Sequence, residues 1–131
     1  MDFNTYFTRG ANGTLKLKNN TQFSHSPHWK QVYTNTVVDS WHVGEIMAAE
    51  YTIVIDHGRD SKEILKAVVI AGPNDAGISI VGRANIAEKL VVLDATVDSS
   101  TFKLYASPAK PEVAGCRIMF SADYYHTLND V

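Results

Sequence analysis

From Thr14 onward the chain is a succession of short segments in which apolar and polar positions alternate with period two, separated by Gly, Pro, Asn and Asp. No segment keeps a helical spacing of apolar residues for three turns. Residues 14–18 set Leu15 and Leu17 against Thr14, Lys16 and Lys18, so that strand can cover a core with one face only. Beyond a proline-containing loop, residues 29–38 are rich in Val, Thr and Tyr and predict a second strand. A further strand over residues 41–47 is interrupted by Gly44.

Residues 51–56 read Tyr-Thr-Ile-Val-Ile-Asp, and the apolar run 64–71 follows across His57, Gly58, Arg59 and Asp60, which predicts a hairpin. Residues 61–67 open as a helix would, but Val68, Val69 and Ile70 are poor helix formers and favour the strand. After a loop from Gly72 to Gly77, Ile78, Ile80 and Gly82 alternate with Ser79, Val81 and Arg83. Residues 84–89 form a link, either irregular or a single helical turn. A second hairpin joins residues 90–97 to 102–107 across Asp98, Ser99, Ser100 and Thr101. Residues 108–115, with Pro108 and Pro111, predict an exposed loop, and in the last strand Ile118, Phe120, Ala122 and Tyr124 form an apolar face.

The expected fold is all-β: a two-sheet antiparallel β-sandwich, Ig-like or jelly-roll-like, with roughly eight strands over a core about 10 Å thick. Residues 14–131 form one domain, preceded by an extended N-terminal arm over residues 1–13. Ile53, Ile55, Val69, Val92, Leu104 and Phe120 are the expected core residues, since they lie in the most apolar segments.

Composition narrows the function more than the fold. A net charge of -2 gives no basic field for phosphates, and no apolar run approaches the roughly 18 residues of a membrane-spanning helix, so neither nucleic acid nor membrane is an expected partner. The single cysteine, Cys116, has no internal disulfide partner, and the N-terminus lacks the basic and apolar stretches of a secretory signal, which points to synthesis in a reducing cytoplasm. The sequons at Asn12 and Asn19 are accordingly read as turn sequences.

Clusters with chemical potential have simpler readings. His25 and His28 flank Pro27 without a third metal ligand nearby, and the tip Asp56-His57-Gly58-Arg59-Asp60 is exposed turn chemistry, without the enclosure that tunes an acid-base group. Asn74, Asp75 and Gly77 lack the ligand alternation of a calcium loop. Cys116 has no neighbouring His, and Asp94 reads as solvent-facing. The chain is therefore expected to be no enzyme and to hold no cofactor and no metal.

Aromatic residues suggest two kinds of surface. Phe3, Tyr6 and Phe7 crowd the arm, and apolar groups in a terminal segment need cover, either from the chain's own sandwich or, as expected here, from a neighbouring subunit. Trp29, Trp41 and Tyr125 offer an alternative, a stacking platform for a ligand such as a sugar.

The order of features Tyr51-Thr-Ile-Val-Ile-Asp56, Lys62-Glu63-Ile64, Val68-Val69, Ala76, Ile78, Gly82-Arg83, Leu90, Ala95-Thr-Val97, Leu104, Pro108 and Phe120 to Tyr125 resembles a β-rich module of virion structural proteins in tailed phages. That module occurs especially in myophages of marine bacteria and cyanobacteria, in tail, fibre and neck-associated proteins. The resemblance covers a little over half of the chain and carries no catalytic residues with it. It implies a virion component, made in the host cytoplasm, that assembles with other virion proteins and as a homo-oligomer in the tail, fibre, neck or capsid decoration. The alternative is a β-sandwich module binding a carbohydrate or host surface.

Overall fold

The computed structural model describes residues 29–128 in full and, before them, the backbone of three short strands. Eleven strands are described: β1 (Phe7–Arg9), β2 (Leu15–Leu17), β3 (Thr21–His25), β4 (Lys30–Val32), β5 (Thr36–His42), β6 (Ile46–Asp56), β7 (Lys62–Ala71), β8 (Ala76–Ile86), β9 (Val91–Asp98), β10 (Thr101–Pro108) and β11 (Cys116–His126). Those from β4 onward number eight, in keeping with the all-β reading, and all the described pairings are antiparallel.

The strands form two sheets. The large one runs β1-β2-β3-β11-β6-β7-β8, with β4 also on β11, and the small one runs β5-β10-β9. β3 and β4 share one side of β11, β4 along residues 116–118 and β3 along 121–125. The expected hairpin over residues 51–71 is β6 and β7, paired from Ala48↔Ile70 to Asp56↔Lys62. Its turn is closed by the His57 N–H donating to the Ser61 carbonyl at 2.8 Å, with Gly58 at φ +100, where a side chain would be strained.

The core lies between the sheets. On the large sheet the inward positions include Tyr51, Ile53 and Ile55 of β6, Leu65, Ala67 and Val69 of β7, and Ile118 of β11. Facing them are Val38 and Trp41 of β5 and Phe102, Leu104 and Ala106 of β10. Trp41 stacks on Phe102 with ring centroids 4.0 Å apart, and Tyr51 meets Phe120 edge to face at 5.6 Å.

Several details differ from the sequence reading. Residues 29–38 are two strands in different sheets, because β4 joins β11 whereas β5, after a bend at residues 33–35, joins β10. Residues 41–47 are likewise not one strand: Glu45 N–H donates to the His42 carbonyl at 3.0 Å, making a turn between β5 and β6. No helical turn follows Ala84; β8 runs on to Ile86. The loop 108–115 is not wholly exposed, since its 3-10 turn Pro111–Val113 buries Val113. A strand, Phe7–Arg9, lies inside the expected arm and pairs with β2.

Of the six expected core residues, Ile53, Ile55, Val69 and Leu104 are buried and Phe120 is half-buried, but Val92 is 44% exposed. The run Leu90-Val91-Val92-Leu93 is apolar throughout and hides its own phase. The register with β10 sets it: Ala106 opposite Leu93, Leu104 opposite Ala95 and Phe102 opposite Val97 turn the odd-numbered residues of β9 inward.

The β9–β10 connection is a two-residue turn in which Ser99 (φ 50) and Ser100 (φ 64) both take the left-handed conformation, as a type I′ turn requires. Serine adopts it at a cost that Asn and Gly largely avoid. Ser99→Asn with Ser100→Gly should therefore raise the unfolding free energy by about 1 kcal/mol, read as a shift in denaturant midpoint at unchanged slope.

Candidate assembly surface

The outward face of the large sheet is laid out by register. Successive rows across β11, β6, β7 and β8 begin with Arg117, Asp56, Lys62 and Ile86, followed by Met119, Val54, Ile64 and Ala84. The middle row is Ser121, Thr52, Lys66 and Gly82. Two more follow: Asp123, Glu50, Val68 and Ser79, then Tyr125, Ala48, Ile70 and Gly77. An antiparallel sheet with one wet face ordinarily presents polar residues there. Here two apolar rows, the second and the fifth, interrupt the charged and polar ones, and Ile70, Val81 and Ile86 are 62%, 60% and 59% exposed. The small residues Gly77, Ser79 and Ala84 keep the relief low, and shallow depressions lie beside Ile70 and beside Ile64.

The charges on this face are partly matched within the chain. The Asp56 carboxylate accepts from Lys62 at 2.8 Å and Arg117 at 3.1 Å, and the Lys62 hydrogen bond holds its carboxyl below the usual range. Burial, then the proximity of Glu50, pushes Asp123 upward. The exposed apolar residues gather toward β7 and β8.

The two most enclosed carboxylates face inward and hold structure. Glu63 of β7 is buried, accepts from Arg83 of β8 at 2.6 Å, and accepts from the Leu90 and Val91 N–H groups at 3.3 and 3.4 Å. Asp39 of β5 bridges the sheets: its carboxylate accepts from the Tyr51 hydroxyl at 2.8 Å and the Tyr124 hydroxyl at 2.5 Å, and the Trp41 indole N–H donates to the Tyr51 oxygen at 3.0 Å. Burial raises the Asp39 carboxyl above its ordinary value, outweighing the two tyrosine hydrogen bonds. Burial and the nearby Asp39 charge hold Tyr51 well above the usual tyrosine range, so it remains a donor.

A raised Asp39 means that the folded state keeps its proton where the unfolded chain has lost it. The resulting stability is fully present below the unfolded value of 3.8 and is lost as pH rises through the higher folded value. Asp39→Asn should remove this component. The stability difference between wild type and the variant, from denaturant midpoints measured at successive pH values, should fall as pH rises above 3.8.

The residues singled out from sequence do not converge. Phe3 and Tyr6 lie outside the described residues, and Phe7 opens β1 opposite Leu17. Trp41, at 8% exposure, is in the core and takes no part in a surface platform: a large ring on the inward phase of β5 stacks on Phe102. Trp29 is 40% exposed next to β4, which pairs with the start of β11, whereas Tyr125, 36% exposed, lies at its other end with its hydroxyl directed to Glu50 at 3.4 Å. Seven residues of extended strand from Ile118 to Tyr125 place those ends roughly 23 Å apart.

His25 lies in β3, and His28 is outside the described residues. Asp94 is solvent-facing and accepts from the Ala95 N–H at 2.9 Å; Asp75 similarly accepts from the Ala76 N–H at 2.9 Å. Cys116 is buried, and burial pushes its thiol upward. Among the described residues no three His, Cys, Asp or Glu side chains gather into a metal-sized group. Among the described residues no strand pairs with the outer side of β8; this edge is not evident from the alternation pattern, although residues 76–82 and 84–86 contain no charge and no proline.

No family model matches the chain, and no curated protein matches it. Among solved structures it is similar to the tailspike protein of Acinetobacter baumannii phage AM24, at 14% identity and a TM-score of 0.46 over 86% of this chain and 27% of that one. It is also similar to the tailspike protein of Acinetobacter phage vB_ApiP_P1, at 13% identity and a TM-score of 0.37 over 84% of this chain and 22% of that one. The chain thus spans about a quarter of the length of either tailspike.

Proposed function

We propose that this chain is a non-enzymatic structural module of a tailed-phage virion, in the tail, fibre, neck or capsid decoration, and that it works by protein–protein assembly. The observation that carries the reading is the half-apolar outward face of the large sheet, continuous with β8, an edge strand of eleven residues that no other described strand pairs on its outer side. The order of features from Tyr51 to Tyr125, which resembles the phage virion module, supports placing that assembly in a particle. The inward carboxylates Asp39 and Glu63 support a non-catalytic role, because each is committed to bonds that join strands of the sandwich.

Mass spectrometry of purified particles from a phage encoding the chain provides the test. The chain should be present in fixed stoichiometry to a known tail or capsid protein after density-gradient purification. Its absence from infectious particles would overturn the proposal, as would hydrolysis of a host polysaccharide by the purified chain.

A further inference from the structure

We propose that β8 pairs edge to edge, antiparallel, with the β8 of a second copy of this chain, joining two large sheets across a two-fold axis. The inference rests on the reading of the chain as an assembly module and names its partner. An edge strand leaves a row of backbone N–H and C=O groups without a strand to bond, and proteins that stay single usually blunt it with short length, charge or proline. The other described edge of the large sheet, β1, has three residues; β8 has eleven.

Charge favours a second copy as the occupant. Arg83 is the only charged residue of β8, and it is directed inward to Glu63 at 2.6 Å. The strand can therefore meet its own copy without unmatched like charges directly opposite, the arrangement that ordinarily penalises self-pairing. Its apolar exposure is on both faces, with Ile80 inward at 40% and Val81 and Ile86 outward at 60% and 59%.

The core is incompletely covered along this same edge. Phe102, Leu104 and Ala106 of its middle strand are fully covered, but Leu93, Ala95 and Val97 of β9 are only half-buried, as is Ile78 of β8. The seam between β8 and β9 is thus only partly closed within one chain, on both its sides. Ile78 and Ile80 of each copy would then close the seam that the single sandwich leaves open. Val81 is the extra residue of a bulge, since Ile80 lies opposite Ala67 and Gly82 opposite Lys66. It divides the edge into residues 76–80 and 82–86, each about the length of an ordinary strand.

The test is the mass of the full chain in solution across a concentration series, by native mass spectrometry and light scattering, for wild type, Ile80→Lys, Val81→Lys and Val92→Lys. Wild type should form a two-chain species. Ile80→Lys should weaken it by roughly tenfold or more with an unchanged circular dichroism spectrum, because pairing would bury two ammonium groups in the seam. Val92→Lys, on the outward face of β9, should associate as wild type does.

If Ile80→Lys does not fold, Val81→Lys and the hydrogen exchange of β8 amides decide, with protection expected to rise with wild-type concentration. A wild type that stays single at its highest soluble concentration overturns the inference, as does association unchanged by the β8 lysines. A single chain in solution that is nevertheless present in particles would sink the β8 pairing and leave the virion role standing. A β8-dependent pair absent from particles would do the reverse.

Discussion

Glu63→Ala should lower the unfolding free energy by about 3 to 5 kcal/mol, the usual cost of removing one partner from a buried ion pair. Three bonds are lost together: the one from the Arg83 guanidinium and those from the Leu90 and Val91 N–H groups. The last two hold the corner between β8 and β9. There Ala87 takes φ 74, and the Glu88 N–H donates to the Ile86 carbonyl at 3.1 Å, a γ-turn of a rare and strained kind. With total stabilities of roughly 5 to 15 kcal/mol, such a loss removes a large share of the fold's margin. Glu63→Gln keeps an acceptor for the corner and should cost less. A double-mutant cycle with Arg83→Ala separates the ion pair from the backbone bonds, and a loss below about 1 kcal/mol for Glu63→Ala would mean that the corner holds without its carboxylate.

Phe102→Ala should also cost about 3 to 5 kcal/mol, in this case through a cavity. Phe102 is fully buried in the middle strand of the small sheet, and its ring stacks on Trp41 with the planes 16° apart. Its removal leaves Trp41 without a face to pack on and loosens the indole whose N–H donates to Tyr51, so the network to Asp39 weakens with it. The buried Trp41 should report the change as a red-shifted emission in the folded variant. A stability within about 1 kcal/mol of wild type would show that the two sheets are not held by this stack.

The architecture was legible where period-two alternation is unambiguous, as in residues 51–56 with 64–71 and in the last strand. It was hidden where a run is apolar on both faces: Val91 and Val92 are equivalent in sequence, and only the pairing of β9 with β10 decides which is buried. The division of residues 29–38 was illegible for another reason. Membership of a sheet depends on partners far along the chain, β11 for β4 and β10 for β5.

Trp41 shows the same limit at the level of a site, since an aromatic side chain reads alike whether it faces a ligand or Phe102. The buried ion pair joins residues 20 apart and the Asp39–Tyr124 bond residues 85 apart, separations that no local pattern encodes. The outward face was in principle readable from Ile64, Val68 and Ile70 alternating with the inward Leu65, Ala67 and Val69. Because β7 is apolar on both sides, the pattern by itself does not tell which face is outward.

The central claim is that the chain functions by having its large sheet covered in a phage particle. A cryo-electron microscopy map of the intact virion, detailed enough to trace strands, tests it most directly. The account predicts density for this sandwich with another polypeptide against the β8 edge and over the outward face near Ile64, Ile70 and Val81. A particle in which the sandwich is found with that edge and face open to solvent, or is not found at all, would contradict it.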